Sequence, residues 1–280
     1  MMDRSGTPSS NRLPAMKTAV PGPQSEAMAK RLSRVEGQGV TALSPAPIFW
    51  SRAQGSNVWD VDGNQYLDLT AAFGVANTGH AHPHVVEAFH NQAEKLLHGL
   101  GDVHPSDIRL ALLEELVARY PGGVEARGVL GSSGSDAVET ALKTALLASG
   151  QPGILAFEGA YHGVSLGTLD LTWREDFSEP FRARLPKQTR FARFGDLSHV
   201  EAVAHQAKEE GFEIGAVLVE PIQGRGGDRI PPRGFLSGLR SLCDERGWLL
   251  IADEIFTGFG RTGALWASDH ESVIPDLLCV

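Results

Sequence analysis

Residues 216–252 read AVLVEPIQGRGGDRIPPRGFLSGLRSLCDERGWLLIA, with two short apolar runs on either side of a loop and a helical pattern. The runs Ala216–Val219 and Leu249–Ala252 contain no polar residue, which is typical of strands buried on both faces. Phe235–Arg246 predicts the helix that connects them. A strand–helix–strand arrangement of this kind indicates an α/β fold with a largely parallel sheet.

The same alternation continues on both sides of this stretch. We predict further strands at Arg127–Leu130, Ile154–Phe157 and Leu277–Val280, and helices at Val85–Leu97, Ser106–Tyr120, Ser135–Ser149 and Leu197–Glu210. Near the N-terminus, Val58–Val61 and Tyr66–Leu69 flank a turn and predict a β-hairpin. Ser25 is expected to cap a short helix that extends to Arg34.

These patterns divide the chain into three parts. Residues 1–24 are rich in Ser, Pro and small residues and are expected to form a flexible arm. Residues 25–84 carry the first helix and the hairpin and are expected to belong to a small domain. Residues 85–280 carry the alternating elements and are expected to form the large domain.

The composition narrows the function classes. There are 34 acidic and 25 basic residues, for a net charge of -9, and this disfavours nucleic-acid binding, which needs a basic face. No apolar run is long enough to span a bilayer and no secretion signal is evident, so no membrane role is expected. Because Cys243 and Cys279 cannot form a disulfide framework, we expect a reducing, cytoplasmic location.

A glycine- and serine-rich turn, GSSGSDAVE (131–139), enters a predicted helix directly after a predicted strand. Backbone N–H groups at a helix start, together with serine hydroxyls, can bind a phosphate. Gly134 permits close approach of the backbone to such a ligand. On this segment alone, a phosphate site and an ordinary capped turn explain the residues equally well.

Three further strand ends carry candidate site residues. Asp253 follows an apolar strand and could pair with a protonated pyridine nitrogen, with Ile255 projecting to the same face; a metal ligand or a structural Asp–Arg pair is the alternative. Tyr161 could stack on a flat cofactor or could be an aromatic residue at the edge of the core. Glu220 could serve a site or pair with an arginine.

In their order along the chain, these segments resemble the class III pyridoxal-phosphate (PLP) aminotransferases, the ω-aminotransferase group. The resemblance covers roughly residues 36–280 and rests on GSSGSDAVETALK (131–143), EGAYHG (158–163), VEPIQG (219–224) and IADEIFTGFGRTG (251–263), supported by WDVDGNQYLDL (59–69) and NTGHAHP (77–83). It implies the aspartate-aminotransferase fold (fold type I), a homodimer, and transfer of an amino group from an amine or ω-amino acid donor to an oxo-acid acceptor.

The resemblance also implies roles for individual residues. It assigns the cofactor phosphate to Ser133, Gly134 and Ser135. Tyr161 would stack on one face of the cofactor ring with His162 beside it, Asp253 would pair with the ring nitrogen, Ile255 would cover the opposite face, and Glu220 would lie on the substrate side.

The chain departs from the family pattern at several positions. Asp136 stands where Glu is usual, Arg225 replaces a commonly acidic residue, and Phe256 stands where many members have a Gln that contacts the cofactor ring oxygen. In the family, a strand like residues 275–280 leads into the Schiff-base lysine, so that lysine is expected beyond Val280. The large domain is then expected to be incomplete, with no catalytic residue identified in this chain.

Three hypotheses follow from this expectation. The chain could be an N-terminal aminotransferase fragment that is inactive alone, a non-catalytic remnant or half of a split enzyme that pairs with a partner chain, or an unrelated phosphate-binding module. Lys187, in a loop, is the remaining alternative for the cofactor lysine, because Lys143 lies too far along its predicted helix from the phosphate turn.

No metal site is predicted. Asp60, Asp62 and Asn64 are spaced like the first ligands of a calcium loop, but its glycine is misplaced and Ala71 stands where the closing Glu belongs. The histidines of residues 80–84 fit a turn of the family pattern better than a metal site.

Overall fold

The computed structural model describes residues 14–280, and the chain divides into two units between His104 and Pro105. The sequence predicts a domain boundary after residue 84, which falls within a helix of the first unit. Residues 1–13 of the predicted flexible arm lie outside the described residues.

The first unit is built on a three-stranded antiparallel sheet. Its elements are α1 (Pro23–Leu32), β1 (Trp50–Gln54), β2 (Asn57–Asp60), β3 (Gln65–Leu67) and α2 (Pro83–Lys95), and the strand order is β1–β2–β3. The pairing of Trp59 with Gln65 confirms the predicted hairpin, whereas β1 was not predicted.

Polar side chains of the hairpin turn hold the N-terminal residues against the sheet. Asp62 accepts hydrogen bonds from the backbone N–H and the hydroxyl of Ser25 at 2.9 and 2.7 Å. Ser25 is buried and does not cap α1, because this helix already begins at Pro23. Ala15 exchanges two backbone hydrogen bonds with Gln65, so residues 14–24 differ from the flexible arm that the composition suggests.

The second unit contains a five-stranded parallel sheet flanked by helices. Its elements are α3 (Asp107–Ala118), α4 (Gly134–Ser149), β4 (Gly153–Phe157), α5 (Leu166–Leu169), α6 (Glu175–Ser178), β5 (Thr189–Ala192), α7 (Leu197–Glu209), β6 (Ile214–Val219), α8 (Phe235–Arg246), β7 (Leu249–Asp253) and β8 (Leu277–Cys279), with 3-10 turns at Pro121–Gly123, Glu179–Arg184 and Ala267–Glu271. The strand order is β5–β4–β6–β7–β8, which confirms the predicted α/β class with a largely parallel sheet.

Both faces of this sheet are buried, as the uninterrupted apolar runs predict. On β4, Leu155 and Phe157 join one core cluster with α7 and α8, while Ile154 and Ala156 join a second cluster with α4. Successive side chains of a strand point to opposite faces, so β4, β6 and β7 each contribute to both clusters.

The predicted strand Arg127–Leu130 is wrong. These residues have no regular secondary structure, and Val129 is 73% exposed. A strand exists only when it is hydrogen-bonded to a neighbour, and among the described residues β8 pairs with β7 alone. Residues 124–129 instead line a cavity of about 920 Å³ beside β8. The polar strand β5, in contrast, was not predicted.

Residues 14–280 contain neither a membrane-spanning helix nor a cluster of metal-binding side chains. None of the helices there combines the length and apolarity that crossing a membrane requires. In the same residues, no three His, Cys, Asp or Glu side chains come together as ligands for a metal ion.

Candidate functional site

The order of the strands selects one crevice of the sheet. β4 lies between β5 and β6, so the chain builds outward in one direction to β5 and then in the other from β6 to β8. Ligands in such sheets bind at the carboxyl ends of the strands where this reversal occurs. The loops that follow β4 and β6 carry Tyr161, His162 and Glu220, three of the predicted site residues.

A buried ion pair joins the loop after β4 to the end of β7. The Nδ1 atom of His162 lies 2.7 Å from Oδ2 of Asp253, and both side chains are buried. The other carboxylate oxygen of Asp253 accepts the backbone N–H of Ile255 at 3.2 Å. Asp253 therefore has a histidine partner, whereas the sequence suggested a pyridine nitrogen, a metal ion or an arginine.

The electrostatics of this pair favour a charged imidazole. Burial alone would lower the pKa of His162, but the hydrogen bond and charge of Asp253, with the nearby charge of Glu220, raise its pKa above the ordinary 6.5. The second ring nitrogen, Nε2, is buried and has no hydrogen-bond partner among the described residues. An unpaired buried polar atom is costly, so Nε2 marks a place where a polar ligand atom would be stabilised.

Glu220 connects the two loops of the crevice. Its carboxylate accepts the backbone N–H of Tyr161 at 3.1 Å and that of Gly224 at 3.4 Å. Burial raises the pKa of Glu220 to about 7, against the lowering effect of His162. Glu220 can therefore exchange a proton near neutral pH within the site, a property that suits a general acid or base.

The phosphate-type turn lies at the start of α4, as predicted. Ser133 caps the helix, because its hydroxyl accepts the N–H of Asp136 at 3.2 Å. The hydroxyl of Ser135 accepts the N–H of Val164 at 3.1 Å, which joins this turn to the residues after His162. The hydroxyls of Ser133 and Ser135 thus each already accept a backbone hydrogen bond.

Gly134 brings the same turn against the end of β7. A Cβ atom on Gly134 would lie only 2.9 Å from Cδ1 of Ile255. Through the contacts Tyr161–Glu220, His162–Asp253, Val164–Ser135 and Gly134–Ile255, the structure brings the strand-end residues and the helix start together. The stacking and phosphate roles of Tyr161, Ile255 and Ser133 remain predictions.

Two side chains that support the turn are not predicted from the sequence. Thr168 is fully buried and lies 3.4 Å from the Ser135 hydroxyl, and Glu139 accepts the N–H groups of Gly167 and Thr168. Neither residue has a recognisable local signal, since each acts across a loop. Phe256, in contrast, was noted in the sequence, and it packs on Gly224, where a Cβ atom would lie 2.7 Å from its ring.

The lysines of the second unit do not substitute for a lysine at the crevice. Lys187 precedes β5 and Lys208 lies in the last turn of α7, so both are near the amino ends of strands. Lys143 is an exposed residue within α4. In the described residues 105–280, therefore, no lysine follows a strand at the carboxyl edge.

Sequence comparison identifies the relatives of this chain. The profile of the family described as aminotransferase class-III matches residues 40–280. The chain is 41% identical over 243 residues to the acetylornithine aminotransferase of Methanopyrus kandleri, covering 86% of this chain and 60% of that protein. It is 36% identical over 280 residues to the 4-aminobutyrate aminotransferase of Mycobacterium leprae, covering 94% and 62%. The chain thus spans about three fifths of the length of these relatives.

Solved structures agree with this result. The taurine:2-oxoglutarate aminotransferase of Bifidobacterium kashiwanohense, in complex with PLP and glutamate, matches with a TM-score of 0.83 and 26% identity, over 91% of this chain and 60% of that one. A PLP-bound amine transaminase from an uncultivated Pseudomonas species matches with a TM-score of 0.76 and 29% identity, over 87% and 60%. Because the family profile covers most of the chain and the fold is shared with these transaminases, this chain belongs to the class III aminotransferases.

Proposed function

We propose that this chain forms the PLP-binding part of an aminotransferase. The observation that carries the proposal is the buried His162–Asp253 pair at the crevice, with Glu220 beside it and the start of α4 joined to it through Ile255 and Val164. These groups supply, within one site, an anion-binding helix start, a buried carboxylate and a titrating acid. Such a set suits a phosphorylated, nitrogen-containing ring.

The residues present fit this cofactor. Asp253 has two hydrogen-bonded oxygens, but a carboxylate has about four acceptor positions and can still accept a pyridinium N–H. The backbone N–H groups of Gly134 and Ser135 precede the first hydrogen bond of α4, which runs from Ala137 to Ser133, and so point out of the helix start. The unpaired Nε2 of His162 offers a further polar contact.

In this proposal each residue has a separate task. The start of α4 binds the phosphate, Asp253 holds a proton on the ring nitrogen, and His162 orients Asp253. Tyr161 and Ile255 enclose the ring, and Glu220 lies on the substrate side and exchanges a proton near pH 7. When bound, PLP supplies an electron sink for a substrate carbanion.

For the whole protein we propose transfer of an amino group from an amine or ω-amino acid to an oxo-acid, in a cytoplasmic homodimer. The positions of Lys143, Lys187 and Lys208, all away from the carboxyl edge of the sheet, favour a second candidate for this chain taken alone. In that candidate, the chain binds the cofactor without turnover, as a remnant or as half of a split enzyme that pairs with a partner chain.

A titration of the chain with PLP, followed by absorbance, tests the binding proposal. We expect saturable binding of one PLP per chain in the wild type. Asp253→Asn should weaken it about tenfold, because the variant loses a charge-assisted hydrogen bond. Asp176→Asn, which alters an exposed ion pair with Arg174, should bind as the wild type does.

Several results would contradict the proposal. Wild-type chain that shows no saturable change in PLP absorbance would overturn it. Equal affinity for inorganic phosphate and PLP would favour an unrelated phosphate-binding module. Borohydride reduction should leave no single, stoichiometric pyridoxyl-lysine, and a clean modification of Lys187 would show that this chain carries its own cofactor lysine.

A further inference from the structure

The loop after β6 is closed by a short antiparallel bridge. Gln223 and Arg229 exchange two backbone hydrogen bonds of 3.0 Å, and the carbonyl of Gly224 accepts the N–H groups of Gly227 and Asp228. The side chain of Gln223 is fully buried and donates to the carbonyl of Glu158 at 3.0 Å. The loop is therefore held at its base by the residues that follow β4.

Two glycines bring this loop close to its neighbours. A Cβ atom on Gly224 would lie 2.7 Å from the Phe256 ring, and one on Gly226 would lie 2.6 Å from the carbonyl oxygen of Gly159. A side chain on Gly226 would require a shift of the backbone, and one on Gly224 would require a shift of the Phe256 ring. Arg225, between them, is the residue whose side chain extends from this part of the loop.

Arg225 extends over the crevice residue Tyr161. Its guanidinium carbon lies 4.4 Å from the centre of the Tyr161 ring and 5.8 Å from that of Phe177. The Glu220 carboxylate accepts the backbone N–H of Tyr161 and also that of Gly224, the residue before Arg225. The same carboxylate therefore links the two backbone segments that carry the aromatic ring and the cation above it.

We infer that Arg225 is a specificity-determining residue that binds a carboxylate of the substrate. Stacking on Tyr161 uses the flat face of the guanidinium, while its N–H donors lie in the plane of the group and match the geometry of a carboxylate. The inference rests on the proposed function, because that function places the substrate at this crevice. It assigns a substrate with an anionic group, such as an ω-amino acid or an oxo-acid, rather than a neutral amine.

Arg225 supplies a positive charge in a crevice that also contains acidic groups. The chain has a net charge of -9, and Asp253 and Glu220 are carboxylates of the same crevice. Asp253 is paired with His162, and Glu220 holds a proton below about pH 7. Arg225 therefore adds a permanent positive charge where an anion would otherwise meet acidic groups.

The test compares a dianion with its uncharged analogue. Calorimetric titrations with glutarate and with glutaramide, both at saturating PLP and without PLP, are made on the wild type, Arg225→Gln and Arg225→Lys. We expect the wild type to prefer glutarate. Arg225→Gln should weaken glutarate binding about tenfold and leave glutaramide unchanged, and Arg225→Lys should retain part of the preference, because it keeps the charge but loses the planar donors.

Arg190→Gln is the matched control, since Arg190 stacks on Phe212 at 3.9 Å in another part of the same unit. It should bind both probes as the wild type does. If the wild type binds the two probes equally, or if Arg225→Gln retains the preference, the inference is wrong, even when PLP binds normally. A loss of PLP affinity in Arg225→Gln would assign the residue to the cofactor phosphate and would also overturn it. Failure of the wild type to bind PLP, with the glutarate preference intact, would contradict the proposed function alone.

Discussion

The contact between His162 and Asp253 determines the electrostatics of the candidate site. Each residue could be selected from its position after a strand, but their hydrogen bond joins parts of the chain separated by 91 residues. Local sequence patterns report which residues end a strand, whereas a long-range pair depends on which strands become neighbours. The sequence therefore predicted both residues and missed their pairing.

Asp253→Asn tests this pair. The charge of Asp253 raises the pKa of His162, so the protonated imidazole stabilises the folded state below about pH 6.5 and this contribution is lost as the pH rises through the raised pKa. The variant should lose about 2 kcal/mol of unfolding free energy at pH 5.5 and less at pH 8.5. Urea unfolding at both pH values, with an NMR titration of the imidazole, measures the change.

The control for this experiment is again Asp176→Asn. Asp176, like Asp253, pairs with a basic side chain, but both Asp176 and its partner Arg174 are exposed. A stability difference between pH 5.5 and 8.5 as large in this variant as in Asp253→Asn would contradict the role assigned to the buried pair.

Glu220→Gln tests the acid of the crevice. Burial raises the pKa of Glu220 to about 7, so the folded wild type keeps a proton that the unfolded chain releases above about pH 4.5. Wild-type stability should therefore fall as the pH rises from 4.5 to 7. The variant has a non-titrating amide at position 220, so its stability relative to the wild type should rise by about 3 kcal/mol over this window. Parallel stability curves for the two proteins would refute the raised pKa.

At the scale of elements, the loop after β4 is locked to the start of α4. Gly163 has a φ of 118° and lies so close to Ser135 that a Cβ atom would be 1.9 Å from its hydroxyl oxygen. Only glycine meets both requirements at this position. The sequence contains this glycine within EGAYHG, but the helix that it contacts is known only from the fold.

Gly163→Ala should therefore destabilise the protein by at least about 2 kcal/mol, through both backbone strain and overpacking. Gly211→Ala is the matched control, because Gly211 also has a positive φ of 71° but has open space around its Cβ position. That variant should lose only about 1 kcal/mol. Thermal unfolding of both variants provides the comparison, and equal losses would show that the contact with Ser135 is unimportant.

The strands and helices themselves were predicted well where their patterns are local. The helix at Phe235–Arg246 agrees with the structure, and the apolar strands β4, β6 and β7 agree within a few residues. The exceptions among the strands are β1 and β5, which have few apolar residues, and residues 127–130, which have apolar residues but no hydrogen-bonded neighbour within residues 14–280. A strand depends on its partner as well as on its own sequence.

At the scale of the whole molecule, apolar side chains remain exposed on two helices. Neither α2 nor α3 has a buried residue, and among the exposed side chains are Phe89, Leu110 and Leu112. Exposed apolar groups of this kind favour association. Light scattering over a dilution series should give a mass above 30.0 kDa that falls on dilution, and a constant monomer mass would contradict this expectation.

The sequence by itself determined the α/β class, the parallel strands, the glycine- and serine-rich helix start and the acidic strand ends. These features arise from periodicity, turn residues and capping, which act over a few neighbouring positions. Only the tertiary structure decided that His162 pairs with Asp253, that Glu220 holds Tyr161 and the next loop together, and that Arg225 lies over the Tyr161 ring. Each of these contacts joins residues distant in the chain, and their geometry follows from the order of the strands in the sheet.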